Sequence, residues 1–383
     1  MPPVDLLVTT HTPALGSGRA LRTYGLARAL ATHGRLDLLY VPFGASEPDE
    51  AFSAIPGIEL HPVTPSRGAH RLLAYATARV RGVPDQLARG ASPELAEQAS
   101  RMAARQDSPG GRRVIADGPT AAAALWGLAR KRPVIYNAHN LESSFRHEIK
   151  PHRLPRPGHR RLLRSFERRL LARFAEAWMV SEADMAMGRE LCPQARLRYV
   201  PNVVDVAAIA PVDPIATEPR AIFVASFDYP PNRNALRFLL EEVFPRVWLE
   251  LPAARLAVVG AGLARPASAD PRVETLGFVE DLGGAYAGAR CAVVPLLQSG
   301  GTPLKLIEAL AHGLPVLATP RAAAGLAIRD GESCVLADGA AAFAAALVPL
   351  LRDGAPELGR RGRQLVEEHY SIEALSALVA PPS

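Results

Sequence analysis

The stretch 291–319 constrains the fold more than any other part of the chain. Cys291-Ala-Val-Val-Pro-Leu-Leu297 is a continuous apolar run, short enough for a strand buried on both faces. Gly300, Gly301 and Thr302 follow where a helix would begin. Small residues there leave backbone N–H groups free at the positive end of the helix dipole, which suits a phosphate. Leu304, Leu306, Ile307, Leu310 and Ala311 recur with helical spacing, and Gly313 stands where a C′ glycine ends a helix. The run 314–319 then reads as the next strand. Lys305 and Glu308, three apart, fall near one face of the first turns. A cation and a carboxylate on that face suit a diphosphate and a ribose diol. The plainer alternative is a surface Lys–Glu pair worth a few tenths of a kcal/mol.

The same order recurs along the chain. Residues 4–10 read as a buried strand, 11–19 as a turn with Gly16 and Gly18, and Leu21 to Leu30 as a helix that ends near Gly34, before a second strand at 36–41. Strands alternating with helices between Gly and Pro punctuation predict a parallel α/β sheet. Gly16-x-Gly18 is not a dinucleotide fingerprint, because Leu21 fills the third glycine position. Residues 45–112 are harder to read: a strand over 58–63, a helix over 72–80 and largely helical, polar sequence over 84–105. The sheet resumes at 114–117, and 133–136 is a further strand. Asn137-Ala-His-Asn-Leu-Glu-Ser143 follows it directly. Polar side chains at the carboxyl end of a parallel strand sit where α/β sheets keep their ligands, which singles out His139 over a plain loop histidine. Asn140 and Glu142 are weaker candidates.

Three prolines within 211–219 mark a linker. A second α/β unit opens with a strand at 220–226, a loop over 227–232 and a helix from Asn234 to Phe244. The run 255–262 is a strand entering a glycine turn, but Arg265 replaces the third glycine of a Rossmann signal and Pro266 makes a poor helix start. At 383 residues, two domains of about 180–200 residues are expected. Three widely spaced cysteines without any C-x-x-C point to reduced thiols, and Cys291 and Cys334 lie in apolar runs that predict core positions. No charged n-region precedes the strand at 4–10, and no apolar stretch reaches the roughly 18 residues of a membrane helix, so a cytoplasmic protein is expected. Between residues 145 and 174 stand ten Lys or Arg and two acids, patterned as a basic amphipathic helix. Its two readings are a solvated face and a contact with an anionic membrane surface or lipid phosphate. Without aromatic interleaving it does not read as a nucleic-acid site.

Taken together, 299–319 resembles the nucleotide-sugar site of family 4 of the retaining glycosyltransferases, which have the GT-B fold: two Rossmann-like domains with parallel sheets facing an interdomain cleft. Glu308, Ala309, Gly313, Pro315 and Val316 match the family pattern, whereas the first of its two Glu residues falls on Gly300. The chain is closer to a branch with a Gly-rich turn and a Lys in place of that Glu, with Lys305 as the Lys. The resemblance implies an N-terminal acceptor-side domain over 1–210, a nucleotide-sugar domain over 211–362, and a terminal helix over 363–383 crossing back. It implies transfer of a hexose to a hydroxyl acceptor with retention, from a UDP-, GDP- or other nucleoside diphosphate sugar, without metal or cofactor. His139 and Lys305 are the implied catalytic residues. Donor contacts are implied for Gly16, Gly18, Ser226, Asn232, Arg233, Phe278, Gly300, Gly301, Thr302, Leu304 and Glu308. Many relatives carry an Arg and a Lys in the 226–232 loop; Ser226 and Pro231 stand there instead. The alternatives are a degenerate sugar-nucleotide-binding subunit of the same fold and a sugar-nucleotide epimerase.

Overall fold

The computed structural model describes residues 3–16, 18–42, 47–65, 68–88, 90, 92–108, 110–144, 158–213, 218–263, 267–298 and 302–381. The chain divides into two compact units, one of Met1–His147, Pro151–Asn202 and Leu375–Ser383, the other containing Val203–Ala374.

The first unit holds strands β1 (Val4–Thr9), β2 (Arg35–Tyr40), β3 (Ile58–Pro62), β4 (Arg113–Asp117), β5 (Ile135–Asn137), β6 (Glu176–Met179) and β7 (Leu197–Tyr199). They form one sheet in the order β3-β2-β1-β4-β5-β6-β7, every neighbouring pair parallel. β1 is buried along its whole length, as its unbroken Val-Asp-Leu-Leu-Val run requires of a central strand with helices on both faces. Asp5 is tolerated there because Arg113 on β4 grips its carboxylate at 2.9 and 2.6 Å. Arg113 also donates to the Val379 carbonyl of the C-terminal segment at 2.7 Å.

The second unit holds β8 (Arg220–Val224), β9 (Arg255–Val259), β10 (Val273–Gly277), β11 (Cys291–Val294), β12 (Val316–Ala318) and β13 (Val335–Leu336), in the parallel order β10-β9-β8-β11-β12-β13. All three cysteines are unpaired and buried, and burial pushes Cys291 and Cys334 up to about 12, the behaviour of core thiols. In each sheet the strand order reverses once, between β1 and β4 and between β8 and β11. Open α/β sheets bind ligands beyond the carboxyl ends of strands at such a reversal.

Two elements differ from the expectation. The helix expected from Asn234 begins four residues earlier, at Pro230, because two prolines at its first positions lack only N–H groups that a helix start leaves unbonded. The basic helix spans His159–Arg173, and residues 145–157 of the expected segment lie outside the described residues. Leu163, Phe166, Leu170 and Leu171 on this helix are buried against the first unit, while Arg160, Arg161, Arg164 and Arg168 stay exposed. Its apolar face is therefore consumed by the core. No helix among the described residues is long and apolar enough to cross a membrane.

Candidate functional site

In the second unit, the reversal between β8 and β11 brings together the loop after β8 and the helix Leu304–Ala311. Asn232, buried in the first turn of the helix Pro230–Phe238, is the joint. Its amide nitrogen donates to the Ser226 carbonyl at 2.6 Å, and its amide oxygen accepts from Lys305 Nζ at 2.5 Å. Lys305 also lies over the Phe223 ring of β8, 5.5 Å from its centre. These are neutral partners, and none of the described carboxylates pairs with Lys305. Burial without a counter-ion lowers the ammonium to about 7. One acceptor on Asn232 leaves two ammonium N–H groups for other oxygens.

The side chain of Glu308, one turn further on, makes no hydrogen bond or ion pair among the described residues, and burial raises it to about 7. The plain reading of a surface Lys–Glu pair is thereby replaced. The two side chains are partly buried, have no ion-pair partner among the described residues, and are each shifted to about 7. That is how a site behaves when its ligand supplies the missing partners. Thr302 is buried at the helix start and Leu304 is its first residue; Gly300 and Gly301 lie outside the described residues.

The loop after β8 is held by the turn after β9. Phe227 N donates to the Ala261 carbonyl at 2.8 Å, and a Cβ at Gly260 would stand 1.7 Å from the Ala225 oxygen. Gly260, at φ 136°, thus serves the close approach of the two backbones. Ser226 is exposed on this loop. Arg233 donates to the Phe227 carbonyl at 2.6 Å, so its guanidinium is tied to its own loop. Phe278, just beyond β10, is 71% exposed, an aromatic face offered to solvent.

The first unit carries a second constellation at its own reversal. Asp117 ends β4 and is fully buried. It accepts from His139 Nε2 at 2.7 Å, Asn137 Nδ2 at 2.7 Å and the Thr23 hydroxyl at 2.6 Å. Burial alone would raise its carboxyl, but the His139 ring, with His11 and Thr23, more than offsets this and holds it well below the usual carboxylate range. An ionised Asp117 only accepts, so the proton of His139 sits on Nε2 and leaves Nδ1 for other partners. His11, lowered by burial to about 4, is neutral and bonds Thr9 Oγ1 at 2.8 Å. Arg22, buried in the helix Gly18–Ala31, donates to Asn137 Oδ1 at 2.6 Å and to Asn202 Oδ1 at 3.1 Å. His139 is therefore no isolated loop histidine. Gly16 (φ 110°) is exposed in the turn after β1, and Gly18, expected in that turn, is instead the exposed first residue of the helix.

Asp117, Asn137, Thr23, His11 and Arg22 were not singled out by the sequence. The available signal was a polar residue closing each of two apolar strands, Asp117 on β4 and Asn137 on β5. Gly118 follows Asp117 at φ 84°, and a Cβ there would stand 3.0 Å from His139 Cε1 and 3.2 Å from Nδ1. Gly118→Ala is expected to destabilise by about 1–2 kcal/mol, since φ > 0 is strained for alanine, while crowding the free nitrogen. Denaturant titration reads the first effect and the His139 imidazole NMR shifts the second.

Several solved structures share this architecture. Sucrose-phosphate synthase from Thermosynechococcus elongatus matches 98% of the chain, and 96% of its own, at TM-score 0.70 and 20% identity. HepE from Anabaena, in complex with UDP and glucose, matches 97% of each chain at TM-score 0.66 and 12% identity. Two parallel α/β units of this kind define the GT-B glycosyltransferase fold, and the chain has it. Residues 218–353 match the family model described as Glycosyl transferases group 1. Over 206 residues the chain is 29% identical to the phosphatidyl-myo-inositol mannosyltransferase of Mycobacterium leprae; that match takes in 50% of this chain and spans about half (53%) of the relative's length.

Proposed function

We propose that the protein is a glycosyltransferase moving a hexose from a nucleoside diphosphate sugar to a hydroxyl acceptor, with retention and without a metal. The observation that carries this is Lys305: a partly buried ammonium with no carboxylate partner among the described residues, at the strand-order reversal and in the first turn of a helix. A diphosphate supplies the charge it lacks, and stabilising that leaving group is the electrostatic contribution that usually dominates such catalysis. Glu308 takes the ribose diol, Thr302 and the helix start take phosphate oxygens, and Phe278 lies against the base. His139, through Nδ1, is assigned to the sugar, whose hydroxyl it accepts, or, with the ring protonated, to the leaving phosphate. No group is needed as general base if the leaving phosphate takes the acceptor proton.

HepE was solved with UDP and glucose, which makes UDP-sugars the first donors to test, ahead of GDP-sugars. The mannosyltransferase relative is named for a phospholipid acceptor, in keeping with an anionic lipid for this chain too. The exposed arginines of His159–Arg173 suit electrostatic adhesion to an anionic surface rather than insertion, because the apolar face of that helix is buried. Sedimentation with phosphatidylglycerol vesicles should then be lost at high salt.

The test of activity is release of nucleoside diphosphate from a panel of nucleotide sugars, after a thermal-shift screen to find the stabilising ligand. Arg233, tied to the Phe227 carbonyl, leaves the diphosphate fewer cations and favours the second reading, a binding subunit of the same fold. Stabilisation by a nucleotide sugar without any turnover, even hydrolysis, would select that reading.

A further inference from the structure

The loop that carries His139 is held by two buried carboxylates from elements further along the chain. Leu141 N donates to Asp184 Oδ1 at 3.1 Å. Ser143 N donates to both oxygens of Glu167, at 3.2 and 3.3 Å. Asp184 has an ordinary second task, since it stands at the third position of the helix Glu182–Leu191 and exchanges hydrogen bonds with the N-cap Ser181. Glu167 has none.

Glu167 sits in the middle of the helix His159–Arg173, on the face that carries Leu163, Phe166, Leu170 and Leu171 into the core, and it is only 2% exposed. The helix is rich in arginine, yet no ion pair joins Glu167 to any described cation. Burial, opposed in part by Ser143, lifts its carboxyl to about 7. A buried carboxylate in place of a leucine costs stability that its hydrogen bonds only partly offset, so its presence calls for a task a leucine cannot do. Asn140 Oδ1 of the same loop is also buried without a partner among the described residues.

We propose that Glu167 is a positioning residue, whose carboxylate fixes the backbone of the 139–144 loop so that the His139 ring is held on Asp117 with Nδ1 free. The inference rests on the assignment of His139 to the sugar end of the donor. It couples an arginine-faced helix to the loop that bears the reactive histidine.

The test compares Glu167→Leu and Glu167→Gln with the wild type. Leucine leaves the Ser143 N–H without its acceptor but suits the apolar face and removes a buried carboxyl, so thermal stability should change little while kcat falls at least tenfold. KM for the nucleotide sugar and calorimetric affinity for UDP should be unchanged, because the nucleotide contacts lie in the second unit. Glutamine keeps an acceptor oxygen for Ser143 and should restore most of kcat. A purely structural Glu167 would show the reverse, a loss of stability without a selective loss of kcat, and that result overturns the proposal. Should the wild type turn over no donor, the reading of function fails while this inference remains testable. Glu167→Leu must still shift the His139 imidazole resonances and speed Ser143 amide exchange, and unchanged signals would refute it.

Discussion

Replacing Lys305 with alanine is expected to weaken nucleotide-sugar binding about 10- to 100-fold, the worth of one or two hydrogen bonds to a charged group. It should lower kcat by a further 10²–10³-fold, as the loss of a donor to developing leaving-group charge does elsewhere. Lys305→Arg should not rescue, because Asn232 and Phe223 hold a compact ammonium and a planar fork does not fit that place. The pH dependence is equally specific. Lys305 stands near 7 in the free protein and the diphosphate selects its charged form, so affinity should fall as pH rises above about 7. Glu308, also near 7, accepts ribose hydroxyls as a carboxylate, so affinity should fall again as pH drops below about 7. The outcome is a bell centred near neutrality. Glu308→Gln should remove its acid limb and leave the alkaline limb. A nucleotide sugar is the right probe, since each of its phosphates is linked on both sides, by one ester and one anhydride, and carries no group that titrates in this range.

The second large effect is expected at Asp117. Asp117→Ala leaves buried donors on His139, Asn137 and Thr23 without an acceptor, at a cost of about 1–3 kcal/mol each, and should lower global stability by several kcal/mol. Asp117→Asn keeps the shape but offers one acceptor where three donors converge. It also frees His139 to change tautomer and lose its contact with the sugar, so kcat should fall at least about tenfold, the worth of one hydrogen bond. Here too the sign with pH is fixed. The folded-state pKa of Asp117 lies below that of the unfolded chain, so its stabilisation is fully present above about pH 4 and is lost as pH falls through the folded value. Urea titrations from pH 6 down to 2 should show a steeper acid loss for the wild type than for Asp117→Asn. Parallel slopes would mean that Asp117 is not ionised in the fold.

The reversal in the second unit was legible in the sequence because its parts are local. Strand, small-residue turn, Lys305, Glu308 and Gly313 fall within 23 positions, and each leaves a mark on hydropathy or turn composition. The partial burial of Lys305 and Glu308 was not legible, since a spacing of three reads equally well as an exposed pair. The constellation around Asp117 was hidden for another reason. Its partners Thr23 and His139 lie 94 and 22 positions away, and Arg22 reaches Asn202 across 180. No short-range pattern records which polar strand ends converge. The hard stretch 45–112 resisted for want of burial: β3 is a half-exposed edge strand, and the helix Ala69–Val80 buries none of its residues. Neither element needs the periodicity by which such elements are read.

The account stands most directly on one measurement, calorimetric titration of the wild type, Lys305→Ala and Glu308→Ala with UDP-glucose and GDP-mannose at pH 7. It predicts one preferred nucleotide sugar with micromolar affinity for the wild type and at least tenfold weaker binding in both variants, their fold intact. Unchanged affinity in both variants, or no binding of any nucleotide sugar to the wild type, would contradict it.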